Sequence, residues 1–161
     1  MSKPIVYLAS PFFTPDQVNS VRALETLIES CGYRCLSPSR DGIVIAAEST
    51  WEDRRQGFTW NTDSIESSQL VVANIDDRDQ GTSYEMGYAY GQDKPIVTIS
   101  LHNYEVNLML ACGTLGHLKS LEELKVALDI LRESLSTNDA QGKLEAFAII
   151  NARFLYRGRI E

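Results

Sequence analysis

The sequence predicts a doubly wound, parallel α/β sheet in a single domain, and three observations carry that prediction. Short apolar runs of strand length alternate with longer segments of helical period. The runs are nearly continuous in their apolar character, as expected of strands covered on both faces. Capping and turn residues separate the two kinds of segment, and the alternation βαβαβαβ fits a sheet built from right-handed crossovers. The 161 residues, 43% of them hydrophobic, suffice for one core without disulfides or a structural metal.

Residues 5–9 (Ile-Val-Tyr-Leu-Ala) form the first strand, ended by Pro11. Thr14, Pro15 and Gln17 then compose a helix start: a cap, a proline suited to the first turn and the reciprocal partner of a capping box. Val18, Val21, Leu24 and Ile28 keep near-helical spacing until Gly32. Residues 33–36 are a short second strand, and residues 39–50 have no clear period. A second helix is expected over residues 51–65, the clearest buried strand over 70–75 and a polar loop over 76–81. Residues 83–92 read as a helix despite two glycines, and residues 96–99 as a fourth strand introduced by Pro95. Ser120 and Glu123 start a further helix whose Leu121, Leu124, Leu128 and Leu131 share a face. In the tail, residues 137–161, only residues 144–150 suggest a short helix, and 151–161 read as irregular. No repeat, low-complexity tract or linker divides the chain, so one domain over residues 1–161 is expected.

A net charge of −7 argues against nucleic acid or an anionic membrane as the main partner, since both reward a surplus of Lys and Arg. A small neutral substrate remains open. The start of the chain carries an apolar run too short for a signal peptide or a membrane span. Cys31, Cys35 and Cys112 cannot all pair internally, and His102 and His117 make no zinc-spaced cluster. Reduced thiols and a cytoplasmic location are expected, with no metal or organic cofactor.

Open α/β sheets bind ligands beyond the carboxyl ends of their strands, which directs attention to residues 10–13, 76–82 and 103–107. None holds G-x-G-x-x-G or a P-loop, so dinucleotide and P-loop readings lose their basis. Glu85 falls in the first turn of the predicted helix, where unpaired N–H groups favour an ionised carboxylate. Such a group at a strand's end can attack a carbon that develops cationic character, an anomeric carbon for example. It can also serve helix stability alone, by about 0.3–1 kcal/mol. Gly81 and Gly87 flank it, as if backbone or ligand approached closely. Asp79 and Asp63 are candidate second acids for the leaving group, or else solvated surface acids. Phe12 and Phe13 are ordinary core residues by default, yet two adjacent aromatics cannot both enter one core, and an exposed face suits a planar base. Tyr7, if buried, needs a hydroxyl partner that a carboxylate would supply. Asn107, a lone amide in the apolar run 106–110, reads by itself as a turn or cap residue.

These pieces together resemble the nucleoside 2-deoxyribosyltransferase family. The matching segments are Tyr7-Leu8-Ala9-Ser10-Pro11-Phe12-Phe13, Trp60-Asn61-Thr62-Asp63, Asp79-Gln80-Gly81-Thr82-Ser83-Tyr84-Glu85-Met86-Gly87-Tyr88-Ala89 and Val106-Asn107-Leu108-Met109, in order across residues 4–112. The resemblance implies a flavodoxin-like fold and exchange of the base on a 2′-deoxyribonucleoside, with retention, through a covalent deoxyribosyl ester on Glu85. It implies further that Asp79 and Asp63 contact the base, that Tyr7 hydrogen-bonds the nucleophile and that Phe13 lines the base pocket. Asn107 would be lent by a neighbouring subunit to bind the sugar 5′-hydroxyl, making the protein a homo-oligomer, dimer or hexamer, with shared sites. Free nucleobases and 2′-deoxyribonucleosides are the expected partners.

Two segments depart from the family pattern. Residues 39–50 match nothing in it, and the ending at Glu161 lacks the family's terminal aromatic character. Two other functions stay open. A deoxynucleoside 5′-monophosphate N-glycosidase shares the carboxylate, but such relatives carry an arginine in the first loop and a serine at the position of Asn107. This chain has Ala9-Ser10-Pro11-Phe12, and a phosphate dianion prefers cationic or backbone donors to an amide. A non-catalytic nucleoside-sensing module on the same fold would need the pocket but no ionised nucleophile.

Overall fold

Alternate side chains of the first strand, β1 (Ile5–Ala9), enter two different cores. Val6 and Leu8 point to one face and Tyr7 and Ala9 to the other, as the two-residue period of a strand dictates. A computed structural model describes residues 3–137 and 139–157. In it β1 pairs in parallel with β2 (Arg34–Leu36) and β3 (Leu70–Asn74), and β3 continues through β4 (Ile96–Ile99) to β5 (Gly116–Leu118). The order β2-β1-β3-β4-β5 is that of the flavodoxin-like sheet, whose topological switch point lies between β1 and β3. The doubly wound fold expected from the sequence is present.

The first core is covered by α1 (Pro15–Ser30), α6 (Leu121–Ser136) and α7 (Ala140–Phe154), which contribute Leu24, Ile28, Leu128, Leu131 and Ile150, all fully buried. Each such side chain stabilises the fold by about 1.5–3 kcal/mol relative to exposure. The second core lies under α3 (Trp51–Ser67), which follows the short α2 (Pro38–Asp41), and under α4 (Gln80–Gly91), through Ile65, Met86 and Ala89. Capping boxes start α1 at Thr14 and α3 at Thr50, so the first helix begins where the sequence places it.

Three features were not legible in the sequence. β5 is only Gly116-His117-Leu118, too short and mixed to stand out, and α5 (Leu108–Cys112) is a single turn capped by Asn107. The tail, expected to be largely irregular, is helical over Ala140–Phe154. It packs so close to β5 that a Cβ at Gly116 would stand 2.9 Å from Phe154 Cβ, which explains the glycine at the edge of the sheet. Residues 158–161, and with them the ending at Glu161, lie outside the described residues. Among those described, no helix is long and apolar enough to cross a membrane.

Candidate active site

Tyr7 and Glu85 meet at the carboxyl end of the sheet, beside the switch point. Tyr7 is fully buried on β1, and its hydroxyl donates to Glu85 Oε1 at 2.7 Å. Burial, reinforced by the Glu85 charge, drives the Tyr7 phenol far above its ordinary range, so the hydroxyl stays protonated and acts as a donor. Asn61, on α3, donates from Nδ2 to the same Glu85 oxygen at 3.1 Å. Both donors use Oε1, and Oε2 has no hydrogen-bond partner among the described residues.

The position of Glu85 differs from the sequence expectation. Asp79 is the N-cap of α4: its Oδ2 accepts from Thr82 N at 2.7 Å and from Thr82 Oγ1 at 3.0 Å. The helix therefore starts at Gln80, and Glu85 falls in its second turn rather than its first. The unpaired N–H groups of the first turn are too distant to hold it ionised, since that effect fades within one turn. Instead, burial pushes the Glu85 carboxyl up from 4.5 to about 7, opposed by the Tyr7 hydrogen bond and assisted by the Asp79 charge. A desolvated carboxylate that ionises near neutrality is a stronger base and nucleophile than a solvated one.

Glu85 borders a cavity of about 320 Å³ lined by Phe58, Asn61, Thr62, Ile65, Gly81, Tyr84 and Tyr88. Phe58 and Tyr84 form a tilted aromatic pair with ring centroids 6.0 Å apart, and such walls suit a planar heteroaromatic ring. A second cavity, of about 210 Å³, lies near the start of α4 and is lined by Arg78, Asp79, Thr82, Ser83, Glu105 and Asn107. Arg78 and Asp77 in the turn before α4 adopt φ of 52° and 65°, a left-handed pair that turns the chain sharply into the helix.

Of the residues singled out in the sequence, Tyr7 and Glu85 are hydrogen-bonded, and Asp79 lines the neighbouring cavity, near enough for its charge to act on Glu85. Asn107 borders the Asp79 cavity while its Oδ1 caps α5 by accepting from Met109 N at 2.9 Å. Asp63 does not join them. It is exposed on α3, and Asn61, two residues earlier and on the opposite side of the helix, occupies the place beside Glu85. Phe13 is 75% exposed and stacked on Phe12 at 5.3 Å, and it is not among the residues lining the Glu85 cavity. No backbone among the described residues approaches Gly87, where a Cβ would meet none of their atoms within 4 Å, whereas one at Gly81 would stand 3.0 Å from Asp79 Oδ2. Sequence reasoning overlooked Asn61, Phe58, Tyr84 and Tyr88. A usable signal existed in the helical phase, because Asn61 precedes the core residue Ile65 by one turn.

The model of the family described as nucleoside 2-deoxyribosyltransferase matches residues 6–134. A 2-deoxyribosyltransferase of the psychrotolerant bacterium Bacillus psychrosaccharolyticus is similar in structure, with 24% identity, a TM-score of 0.68 and coverage of 75% of this chain and 90% of that one. A conserved protein of Enterococcus faecalis V583 has 19% identity and a TM-score of 0.69 over 78% of this chain and 97% of its own. A CMP N-glycosidase of Clostridium botulinum has 17% identity and a TM-score of 0.55 over 78% of this chain and 98% of its own. At these identities the structural likeness shows the fold. No curated protein sequence matches the chain.

Proposed function

The chain belongs to the nucleoside 2-deoxyribosyltransferase family, and we propose that it exchanges the base of 2′-deoxyribonucleosides through a covalent deoxyribosyl ester on Glu85. The observation that carries this reading is the one-sided hydrogen bonding of a half-buried carboxylate beside an aromatic-walled cavity. Glu85 Oε2 attacks C1′, the C1′–N bond breaks, and the base departs with the bonding pair and takes up a proton relayed from water by Asp79. The incoming base then attacks C1′ with a ring nitrogen, the ester bond breaks back to the carboxylate, and the nitrogen's proton leaves by the same route. Two inversions give net retention. Tyr7 stabilises the carboxylate when it is the leaving group of the second step.

The nucleoside reading is favoured over a nucleotide glycosidase by the first loop, Ala9-Ser10-Pro11-Phe12, which carries no arginine, because a phosphate dianion calls for cationic donors. The second copy expected from the resemblance is supported by a groove of about 420 Å³ bordered by exposed Tyr90, Leu108 and Met109, next to Asn107. An exposed apolar surface of this kind is commonly covered in an oligomer. Within such an assembly Asn107 would reach the 5′-hydroxyl of a sugar held by the neighbour's Glu85.

Incubation of deoxyinosine with free adenine tests the reading. Deoxyadenosine is expected from the wild type and none from Glu85→Ala. Cleavage of deoxyguanosine 5′-phosphate in preference to deoxyguanosine would replace it with the nucleotide glycosidase. Tight nucleoside binding without turnover, unchanged in Glu85→Gln, would replace it with the sensing module.

A further inference from the structure

Sequence reasoning supplies Glu85 with one partner, Tyr7. The structure adds a second that belongs to a different element. Ile65 anchors α3 in the second core, and one turn earlier on the same face Asn61 extends its Nδ2 to Glu85 Oε1 at 3.1 Å. Tyr7 reaches that oxygen at 2.7 Å from β1. An ionised carboxylate only accepts hydrogen bonds, so it is the amide nitrogen rather than Oδ1 that faces it.

We propose that Asn61 is a positioning residue for the nucleophile: with Tyr7 it locks the carboxylate by Oε1, so that Oε2 alone is presented for attack on C1′. The inference rests on Glu85 being the nucleophile. Two donors from two rigid elements fix the last torsion of a side chain that would otherwise rotate freely. The chemical type of residue 61 also matters. Asp79 already opposes ionisation of Glu85, and a second carboxylate at position 61 would oppose it further. A lysine or arginine would favour ionisation but would compete for Oε2. A neutral amide supports the charged form and leaves the attacking oxygen free.

The test uses Asn61→Leu, which keeps the volume and removes the donor, together with Asn61→Ala, which only removes atoms. Two readouts are taken between about pH 5 and pH 9. The first is the pH profile of kcat/KM for exchange between deoxyinosine and adenine, which reports ionisation in the free enzyme. The second needs no turnover: the difference in thermal midpoint between each protein and its Glu85→Gln counterpart, whose pH dependence reports the ionisation of Glu85. A hydrogen bond to a charged group shifts such an equilibrium by roughly one to two pKa units. Both variants are therefore expected to move both midpoints upward by about that amount, with kcat lowered about tenfold or more and KM changed less. Unmoved midpoints in a folded variant, with kcat near wild type, would overturn the positioning role. Absence of exchange by the wild type itself, whatever the stability midpoints do, would instead remove the reading of function on which the proposal rests.

Discussion

The two faces of the sheet are built to different ends. Under α1, α6 and α7 the first core is mainly aliphatic, with Leu24, Ile28, Leu128 and Leu131 fully buried, and its buried phenol, Tyr33, donates to the Leu128 carbonyl rather than to an acid. Under α3 and α4 the second core contains Tyr7, and at its rim stand Glu85, Asn61 and the partly exposed pair Phe58 and Tyr84. Adjacent residues of one strand serve both: Leu8 fills the first core and Tyr7 reaches into the second. The difference teaches where stability comes from and where it is given up. A fold held by one face can tolerate, on the other, an acid whose ionisation burial opposes.

The largest effect expected from breaking this division is loss of catalysis without loss of fold. Glu85→Ala should reduce exchange by roughly 10⁴-fold or more, as removal of a nucleophile does, while the protein stays folded because the first core is untouched. On the other face the reverse is expected. Leu128→Ala leaves a cavity in the first core and should cost about 2–5 kcal/mol in urea denaturation, with kcat per folded molecule near wild type.

The pH dependence of stability sharpens the comparison further. Glu85 ionises near 7 in the folded chain against 4.5 for the free group, so the fold holds the proton more tightly than the unfolded chain does. The stabilisation by the protonated acid is complete below about pH 4.5 and is lost as pH rises through about 7. Glu85→Gln keeps an acceptor for Tyr7 and Asn61 and has nothing to ionise. It should exceed wild type in stability at about pH 8, by on the order of 3 kcal/mol, and the gap should close towards about pH 5. A gap independent of pH would mean that the Glu85 site is not desolvated in solution.

Asn107→Ala should have the smallest effect, because a neutral hydrogen bond contributes about 0.5–1.5 kcal/mol and so changes exchange about tenfold or less. Mixed with Glu85→Ala under conditions of demonstrated subunit exchange, it should regenerate activity, since one hybrid site would carry both intact residues. A mixture no more active than its Asn107→Ala component alone would confine Asn107 to its own subunit.

The parts of this account that were legible in the sequence are those with a repeated signal. Strand β1 is an unbroken apolar run, β3 and β4 are apolar except at Asn74 and Thr98, and Thr14 with Gln17 marks a helix start by two residues that answer each other. The need of a buried Tyr7 phenol for an acceptor also follows, and its pairing with Glu85 is what the family resemblance implies. What was misread turns on helical phase and on single residues. Gly81 and Thr82 look like loop, yet Asp79 caps them into α4 and moves Glu85 to the second turn. Asn61 was not singled out, yet it is in phase with Ile65 and reaches Glu85 while Asp63 is exposed, because in a helix phase decides which side chains meet. β5 escaped notice because its pattern is made by contact with α7 at Gly116, which no local stretch of sequence reveals.

The central claim, that Glu85 carries the sugar, is tested most directly by mixing enzyme with deoxyinosine in the absence of an acceptor base, quenching in acid at successive times and mapping the peptides by mass spectrometry. The account predicts a burst of hypoxanthine equal to the number of sites, accompanied by a 2-deoxyribosyl group on the Glu85 peptide that disappears when adenine is added before the quench. A burst with the sugar on another residue, or with no sugar bound at any time, would contradict it.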